Sequence, residues 1–361
     1  MDNDEITHLR LCSLGLSSIA TNNDPLSVAR GLCALQGQDY PGALWAIAVR
    51  IPHAMEADIT RAFTNGEIVR SWPLRGTLHV CAAEDLHWML SLTSARTIAS
   101  TVQRQKNLEL DAKQFALSHA TMRQVLAGGV DLTREEILTA LETAGLSVAN
   151  GRGYHFLFRA AVEGVICIGP DRGKEQSYVL LDEWIPPNRQ RKLSRDEALA
   201  EITFRYFSSH GPAAVKDLIG WTGLTAGEIR QGLEFVKSRL ESFTYEGIEY
   251  WMAPVSGPAE HSQALLLPGF DEYMLGYKNR DAALSPQFAD RICPGGNGMF
   301  LATVVVDGQV QGTWKKVLRK GLVKISVSAF RSFTGKEREA VELAAQNYGE
   351  YLGLRSELSI D

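Results

Sequence analysis

The stretch 194–251, SRDEALAEITFRYFSSHGPAAVKDLIGWTGLTAGEIRQGLEFVKSRLESFTYEGIEYW, predicts three helices followed by a β-hairpin. Ser194-Arg-Asp-Glu197 has the form of a capping box that opens a helix, and Gly211-Pro212 starts a second one. A third helix follows from Thr225, and residues 243–251 then alternate about a Glu246-Gly247 turn, which is typical of a hairpin. Helix, helix, turn, helix and hairpin in this order predict a winged helix-turn-helix.

The same plan is predicted twice more, nearer the start of the chain. The first copy has helices near 26–36, 42–51 and 56–64 and strands at 67–72 and 76–81. The second has a capping box at Thr133-Arg-Glu-Glu136, a helix near 154–162 and strands at 165–168 and 177–181. The segment 84–128 reads as helical connectors between the two copies.

The last hundred residues have a different pattern, with short strands predicted at 263–267, 299–306, 310–314 and 322–327 and a closing helix at 336–351. Asp307-Gly308 is a hairpin turn between two of these strands. The expected fold class is therefore α+β, with three tandem winged helix-turn-helix units followed by a small C-terminal β-barrel or curled sheet. The expected domains are 1–130, which includes the helical connectors, 131–193, 194–258 and 259–361.

Composition places the chain among ordinary globular proteins. It has 361 residues, of which 45% are hydrophobic and 22% charged, and this excludes a disordered or fibrous chain. Its apolar runs fall far short of the roughly 20 residues needed to span a bilayer, and Met1-Asp-Asn-Asp-Glu5 is acidic where a secretory signal is basic, so we expect a cytoplasmic protein. The five scattered cysteines match neither a disulfide framework nor a CxxC zinc site.

The net charge of −5 gives no overall attraction to nucleic acid, so DNA binding would depend on a local basic surface. Between Gly312 and Gly335 there is one basic run without any acidic residue: Lys315, Lys316, Arg319, Lys320, Lys324 and Arg331. The run is either such a DNA-binding surface or a solvated strand face.

Two glutamines are the first candidates for chemistry. In Leu35-Gln-Gly-Gln-Asp-Tyr-Pro41, Gly37 lets the chain leave the preceding helix, so the amides of Gln36 and Gln38 could face one cleft. An amide offers an acceptor and two donors, enough to orient a water molecule without removing its proton. The alternative is that both side chains cap the end of a helix.

A second candidate group lies in the first hairpin. On a strand Thr77 and His79 share a face, so a hydroxyl and an imidazole could line one groove, although a lone histidine is also common as a structural residue. His79, Cys81 and His87 do not form a convincing metal site. The chain has no phosphate loop or dinucleotide fingerprint, and we expect neither metal nor cofactor. Asp271-Glu272 is either a catalytic carboxylate pair or a helix cap and ion pair at the barrel edge.

Several segments together resemble the AlkZ/YcaQ family of bacterial winged-helix DNA glycosylases. They are Leu35-Gln-Gly-Gln38 with Leu44-Trp45, Arg70-Ser-Trp-Pro-Leu-Arg-Gly-Thr-Leu-His79, Leu267-Pro-Gly-Phe-Asp-Glu-Tyr273, Tyr277, Arg280, and Asp307-Gly308 with Gly312-Thr-Trp314. The resemblance implies three tandem winged helices and a β-barrel around a DNA channel. It also implies hydrolysis of the N-glycosidic bond of N7-alkylated guanine, including interstrand crosslinks.

The family uses a Gln-aliphatic-Gln or Gln-aliphatic-Asp motif, which the resemblance places on Gln36 and Gln38. Gly37 departs from it, because an aliphatic side chain is usual there.

The resemblance further implies a monomer that acts on double-stranded DNA and has no contact with membranes. Contacts to the lesion strand are expected from Arg75, Thr77 and His79, and further DNA contacts from Lys315, Lys316 and Arg319. One alternative is a non-enzymatic winged-helix regulator, although unequal tandem units argue against a simple two-fold repressor. Another is a resistance protein that sequesters a DNA-damaging metabolite.

Overall fold

The computed structural model describes residues 2–17, 22–173, 175–254 and 264–361, which form a mixed α+β fold. Within these ranges the α-helices are α1 (Asn3–Ser13), α2 (Pro25–Leu32), α3 (Tyr40–Ala48), α4 (Glu56–Thr64), α5 (Leu86–Asn107), α6 (Ala112–Val125), α7 (Arg134–Thr143), α8 (Arg152–Val162), α9 (Leu181–Trp184), α10 (Arg195–His210), α11 (Val215–Thr222), α12 (Ala226–Val236), α13 (Glu272–Leu275), α14 (Ala289–Ile292) and α15 (Gly335–Tyr351). The strands are β1 (Leu35–Gln36), β2 (Ile68–Leu74), β3 (Thr77–Ala82), β4 (Leu132–Thr133), β5 (Ile166–Arg172), β6 (Glu175–Leu180), β7 (Glu241–Tyr245), β8 (Ile248–Met252), β9 (Ala264–Leu267), β10 (Thr303–Val306), β11 (Gln309–Arg319), β12 (Leu322–Ala329) and β13 (Arg355–Ile360). In the part of the chain that is described, no helix is both long and apolar enough to cross a membrane.

The chain divides into two compact units. Unit 1 comprises Met1–Thr60 and Ala200–Asp361, and unit 2 comprises Arg61–Leu199.

Unit 2 is built around a sheet in which the strands run in the order β3-β2-β5-β6-β4. The hairpins β2–β3 and β5–β6, predicted for two separate copies of the helix–hairpin plan, join at a single pair, Arg70 opposite Ile168. Helices α5, α6 and α8 pack around a core that includes Met122, Leu141 and Phe156. The predicted connectors at 84–128 are confirmed as α5 and α6.

The C-terminal part of unit 1 is a five-stranded sheet in the order β13-β12-β11-β10-β9. Only β12 and β13 run parallel, and α15 packs against β9 and β13. Among the described residues the sheet is open, with β9 and β13 at its edges, so closure into a barrel stays a prediction. The indole N–H groups of Trp45 and Trp314 donate to carbonyl oxygens of β9, at 2.6 Å and 2.8 Å.

Local signals in the sequence predicted several boundaries correctly. The capping boxes at Ser194–Glu197 and Thr133–Glu136 open α10 and α7. Glu246-Gly247 and Asp307-Gly308 form the turns of the hairpins β7–β8 and β10–β11, with all four residues at positive φ. These devices act within three or four residues, which is why the sequence identifies them.

Two predicted helix ends were wrong. Helix α2 ends at Leu32 rather than near residue 36, because Cys33 (φ +66°, ψ −51°) forms a γ-turn in which the Ala34 N–H donates to the Leu32 carbonyl. Helix α11 begins at Val215 rather than at Gly211-Pro212. Ala213 exchanges two backbone hydrogen bonds with Trp251 of β8, at 3.0 Å and 2.9 Å, and this holds the preceding residues extended.

Several elements were not predicted. The short ones include β1, β4, α9 and α14. Strand β13 alternates Arg, Ser, Glu, Leu, Ser and Ile and is mostly polar, and α1 opens with a capping box at Asp2 and Glu5. The predicted strand start at residue 263 and the predicted boundary between 258 and 259 lie outside the described residues.

A buried ion pair fixes the segment after β9. The guanidinium of Arg50 binds both carboxylate oxygens of Asp271, at 2.9 Å and 3.0 Å, and also donates to the carbonyls of Leu14 and Ala46. Arg50 and Asp271 are 1% and 3% exposed. Removal of one partner would therefore leave a buried charge without its counter-ion.

Asp271→Asn is expected to lower the free energy of unfolding by about 3–5 kcal/mol, the usual cost of breaking a buried pair. The control is Glu357→Gln, which breaks the exposed pair with Lys324 (3.4 Å) and should cost about 1 kcal/mol or less. Urea unfolding of the two variants measures the difference. Equal losses of stability would contradict the structural role assigned to the Arg50–Asp271 pair.

Candidate active site

The predicted glutamine pair lies in a short non-helical segment between α2 and α3. Gln36 is half-buried at the end of β1, and Gln38 is exposed in the bend before α3. Helix α3 begins at Tyr40, with Asp39 at its N-cap position and Pro41 in its first turn. Because neither glutamine is in a helix, their side chains are not forced about 200° apart.

Gln36 is anchored through its backbone. Its N–H donates to Oε1 of Glu272 at 2.9 Å, and its own side-chain Oε1 accepts from the N–H of Gly37 at 3.0 Å. The second contact holds the Gln36 amide against its own loop. The two donors of its NH2 group are not used by either contact.

Glu272 lies at the centre of a buried polar cluster within unit 1. Its side chain is 2% exposed. The Oε2 atom accepts from the indole N–H of Trp221 at 2.9 Å and lies 3.3 Å from Nε2 of His210. The sequence interpretation of Asp271-Glu272 as a cap and ion pair is confirmed for Asp271, which caps α13 and binds Arg50. Glu272 instead reaches the glutamine loop.

The basic run of β11 is divided between the two faces of its strand. Lys315 and Arg319 share one face, together with Lys324 on β12, which lies opposite Val317. Lys316 points to the other face, where its ammonium donates to the hydroxyl of Tyr348 and lies 5.0 Å from the centre of that ring. Lys315 and Arg319 are exposed.

Lys316 lies on the side of the sheet that packs against the helix following the glutamine loop. Its partner Tyr348 packs edge-on against Trp45 of α3, with ring centroids 4.8 Å apart. Although much of the lysine side chain is exposed, desolvation of its ammonium lowers the pKa of Lys316 below the ordinary lysine value. The carboxylates of Asp39 and Glu56 act in the opposite direction on that pKa.

The predicted residues of unit 2 cluster at the β2–β3 turn. Arg75 is exposed and has a positive φ of +54°. Gly76, the next residue, also has a positive φ, of +70°. His79 is 1% exposed, with Nδ1 2.9 Å from the Thr77 carbonyl and Nε2 3.3 Å from Nη2 of Arg75. Thr77 is half-buried, and its hydroxyl lies 3.4 Å from the Leu74 carbonyl. Arg75 is thus the most accessible of the three.

Among the described residues, no group of three or more His, Cys, Asp or Glu side chains is arranged to hold a metal ion. The polar atoms near the glutamine loop are amides, carboxylates, an imidazole and an ammonium.

Sequence reasoning missed two residues of this site, His210 and Trp221, and did not connect Glu272 with the glutamine loop. His210 and Trp221 lie 62 and 51 residues before Glu272, so no local pattern links them. The one available signal is the pair of adjacent carboxylates in an otherwise apolar segment, since buried carboxylates require partners.

Three comparisons with known proteins bear on this site. The family described as DNA glycosylase AlkZ-like matches residues 29–351. An interstrand DNA cross-link repair glycosylase of Streptomyces sahachiroi is 27% identical over 315 residues, which are 79% of this chain and 80% of that protein. The solved structure of the Streptomyces sahachiroi DNA glycosylase AlkZ superimposes with a TM-score of 0.84 at 23% identity, over the full length of both chains. Because the family match covers most of the chain, this protein belongs to the AlkZ-like DNA glycosylase family.

Proposed function

We propose that the protein is a DNA glycosylase that hydrolyses the N-glycosidic bond of N7-alkylated, cationic purines in double-stranded DNA. The observation that carries the proposal is the non-helical loop with Gln36 and Gln38, in which Gln36 is anchored to Glu272 and Gln38 is exposed. Membership of the AlkZ-like family supports the same class of reaction.

The chemistry suits a site whose candidate groups are amides. An N7-alkylguanine carries a positive charge, so the base leaves readily and needs little protonation. The protein has to place a water molecule on the far side of a sugar with oxocarbenium character and stabilise the charge that develops. Gln38 is exposed and contributes an acceptor and donors for this water, while Gln36 contributes the NH2 donors that its loop contact leaves unused.

Interstrand crosslinks are included in the proposed substrate range. The Streptomyces sahachiroi relative is described as an interstrand DNA cross-link repair glycosylase, and most of both chains align. A crosslinked base cannot be turned freely out of the duplex. A site that does not require a tight base pocket would accept it.

We further propose that the helix–hairpin segments are winged helices and that the C-terminal sheet belongs to a barrel. The order α10, α11, α12 and hairpin β7–β8 supports the first assignment. In this arrangement Lys315, Lys316 and Arg319 contact the DNA backbone, and Arg75 and Thr77 contact the lesion strand. His79, expected from the sequence to do the same, is buried and supports Arg75 instead.

Gln38→Ala is expected to slow excision of N7-methylguanine by roughly 10²–10³-fold, the loss typical of removing one preorganised polar group, with DNA affinity nearly unchanged. Gln38→Asp should retain activity, because a carboxylate can hold the same water and adds negative charge beside the cationic sugar. Single-turnover excision from a duplex with one N7-methylguanine measures both. Wild-type rates for Gln38→Ala would show that the glutamine loop is structural and that other groups carry the reaction. No excision by the wild-type protein would favour a non-enzymatic DNA-binding protein.

The basic strand gives a second test. Duplex DNA should bind with little sequence preference, and its affinity should fall steeply with salt because neutralised phosphates release counterions. Lys315→Ala combined with Arg319→Ala should flatten the log–log salt dependence by roughly one unit per lost contact. Lys336→Ala combined with Arg338→Ala, at the start of α15, is the matched loss of two exposed cations outside the run. An unchanged slope for the double variant would show that this face does not bind DNA.

A further inference from the structure

We propose that Glu272 is a positioning residue for excision, which fixes the glutamine loop by accepting the Gln36 N–H and ties this loop to α10 and α11. This inference deepens the proposed function and rests on it. It assigns a role to a buried carboxylate that the reaction outlined above does not use.

The hydrogen bonds of Glu272 require a carboxylate. The Gln36 N–H approaches Oε1 and the Trp221 indole N–H approaches Oε2, so each oxygen has its own donor at 2.9 Å. A backbone N–H and an indole N–H can only donate. A glutamine at position 272 offers one oxygen and one NH2 group, and therefore leaves one of the two donors facing another donor.

The carboxylate is itself held in place from several directions. Tyr273 of the same short helix donates its hydroxyl to the Gly308 carbonyl, and Asp271 is bound by Arg50. His210, next to Oε2, stacks on Tyr206 with ring centroids 4.6 Å apart and planes within 10°. A four-residue helix such as α13 has too few internal hydrogen bonds to fix a side chain alone, so these tertiary contacts do so.

The side chain of His210 is closely packed. A Cβ atom added at Gly276 would lie 2.5 Å from Cδ2 of His210, a distance that real side chains do not adopt. The Tyr277 hydroxyl donates to the His210 carbonyl at 2.9 Å. The imidazole thus has little room to move away from Glu272.

The residue that Glu272 anchors lies close to Gln38 in the chain. Glu272 fixes the backbone at Gln36, two residues before Gln38, in a segment whose strand is only two residues long. Loss of this anchor would let both glutamine side chains shift relative to the sugar. A displacement of about 1 Å at a reacting centre can cost roughly 10²-fold in rate.

The test is Glu272→Gln, measured by single-turnover excision of N7-methylguanine and by hydrogen exchange of the Gln36 amide in the full chain. We expect excision about 10²-fold slower with DNA affinity unchanged, and faster exchange at Gln36. The double variant Gln38→Ala with Glu272→Gln should be scarcely slower than Gln38→Ala alone. If Glu272 acts through the loop, the two losses are not independent.

Asp217→Asn is the matched control. It changes another buried carboxylate of unit 1, which accepts the backbone N–H groups of Ala214 and Lys278 at 2.9 Å and 2.7 Å, and neither donor belongs to the glutamine loop. It should lower the unfolding temperature and leave both the exchange at Gln36 and the excision rate unchanged. The proposal is overturned if Glu272→Gln keeps the wild-type exchange and excision rates, if the two losses in the double variant multiply, or if Asp217→Asn slows excision equally. If wild-type protein does not excise N7-methylguanine, the proposed function fails, and exchange at Gln36 still decides the positioning role.

Discussion

Two adjacent carboxylates in the interior of unit 1, Asp271 and Glu272, determine how this unit is assembled. A charge removed from water without partners costs several kcal/mol, so each of these groups must be met by donors from elsewhere in the chain. Arg50 comes from the segment after α3, Trp221 from α11, and the N–H of Gln36 from β1. The hydrogen bonds to the two carboxylates therefore join segments more than 200 residues apart. The glutamine loop is one of these segments.

A second set of contacts links this interior to the basic strand. The indoles of Trp45 and Trp314 donate to neighbouring carbonyls of β9, and both rings pack edge-on against Tyr348, with centroid distances of 4.8 Å and 5.0 Å. The hydroxyl of Tyr348 accepts a hydrogen bond from the ammonium of Lys316. Aromatic packing on one side of the C-terminal sheet thus holds the Lys316 ammonium against Tyr348, while Lys315 and Arg319 remain exposed on the other side.

An anchored glutamine loop and an exposed basic face suit the chemistry proposed for this protein. A cationic leaving group reduces the need for a strong general acid, and what remains is to orient water and stabilise charge with fixed dipoles. Fixed dipoles require a rigid backbone. The glutamine loop has little secondary structure of its own, and the hydrogen bond from the Gln36 N–H to the buried Glu272 carboxylate anchors it.

The sequence by itself determined the local features of this protein. The capping boxes of α7 and α10, the turns at Glu246-Gly247 and Asp307-Gly308, and the alternation of β7 and β8 act over a few residues, so their patterns are readable directly. The motif around Gln36 and Gln38 was also readable, as was the resemblance to the AlkZ/YcaQ family, because both consist of short runs of residues in a fixed order.

The tertiary structure decided what depends on distant partners. The γ-turn at Cys33 ends α2 before the glutamines, and the mostly polar strand β13 exists because β12 offers it an edge to pair with. Only packing determines that His79 is buried, that Lys316 turns towards Tyr348, and that Glu272 meets Gln36 across 236 residues of sequence. Burial and long-range hydrogen bonds are set by which segments share a core, and no pattern within a single segment records that choice.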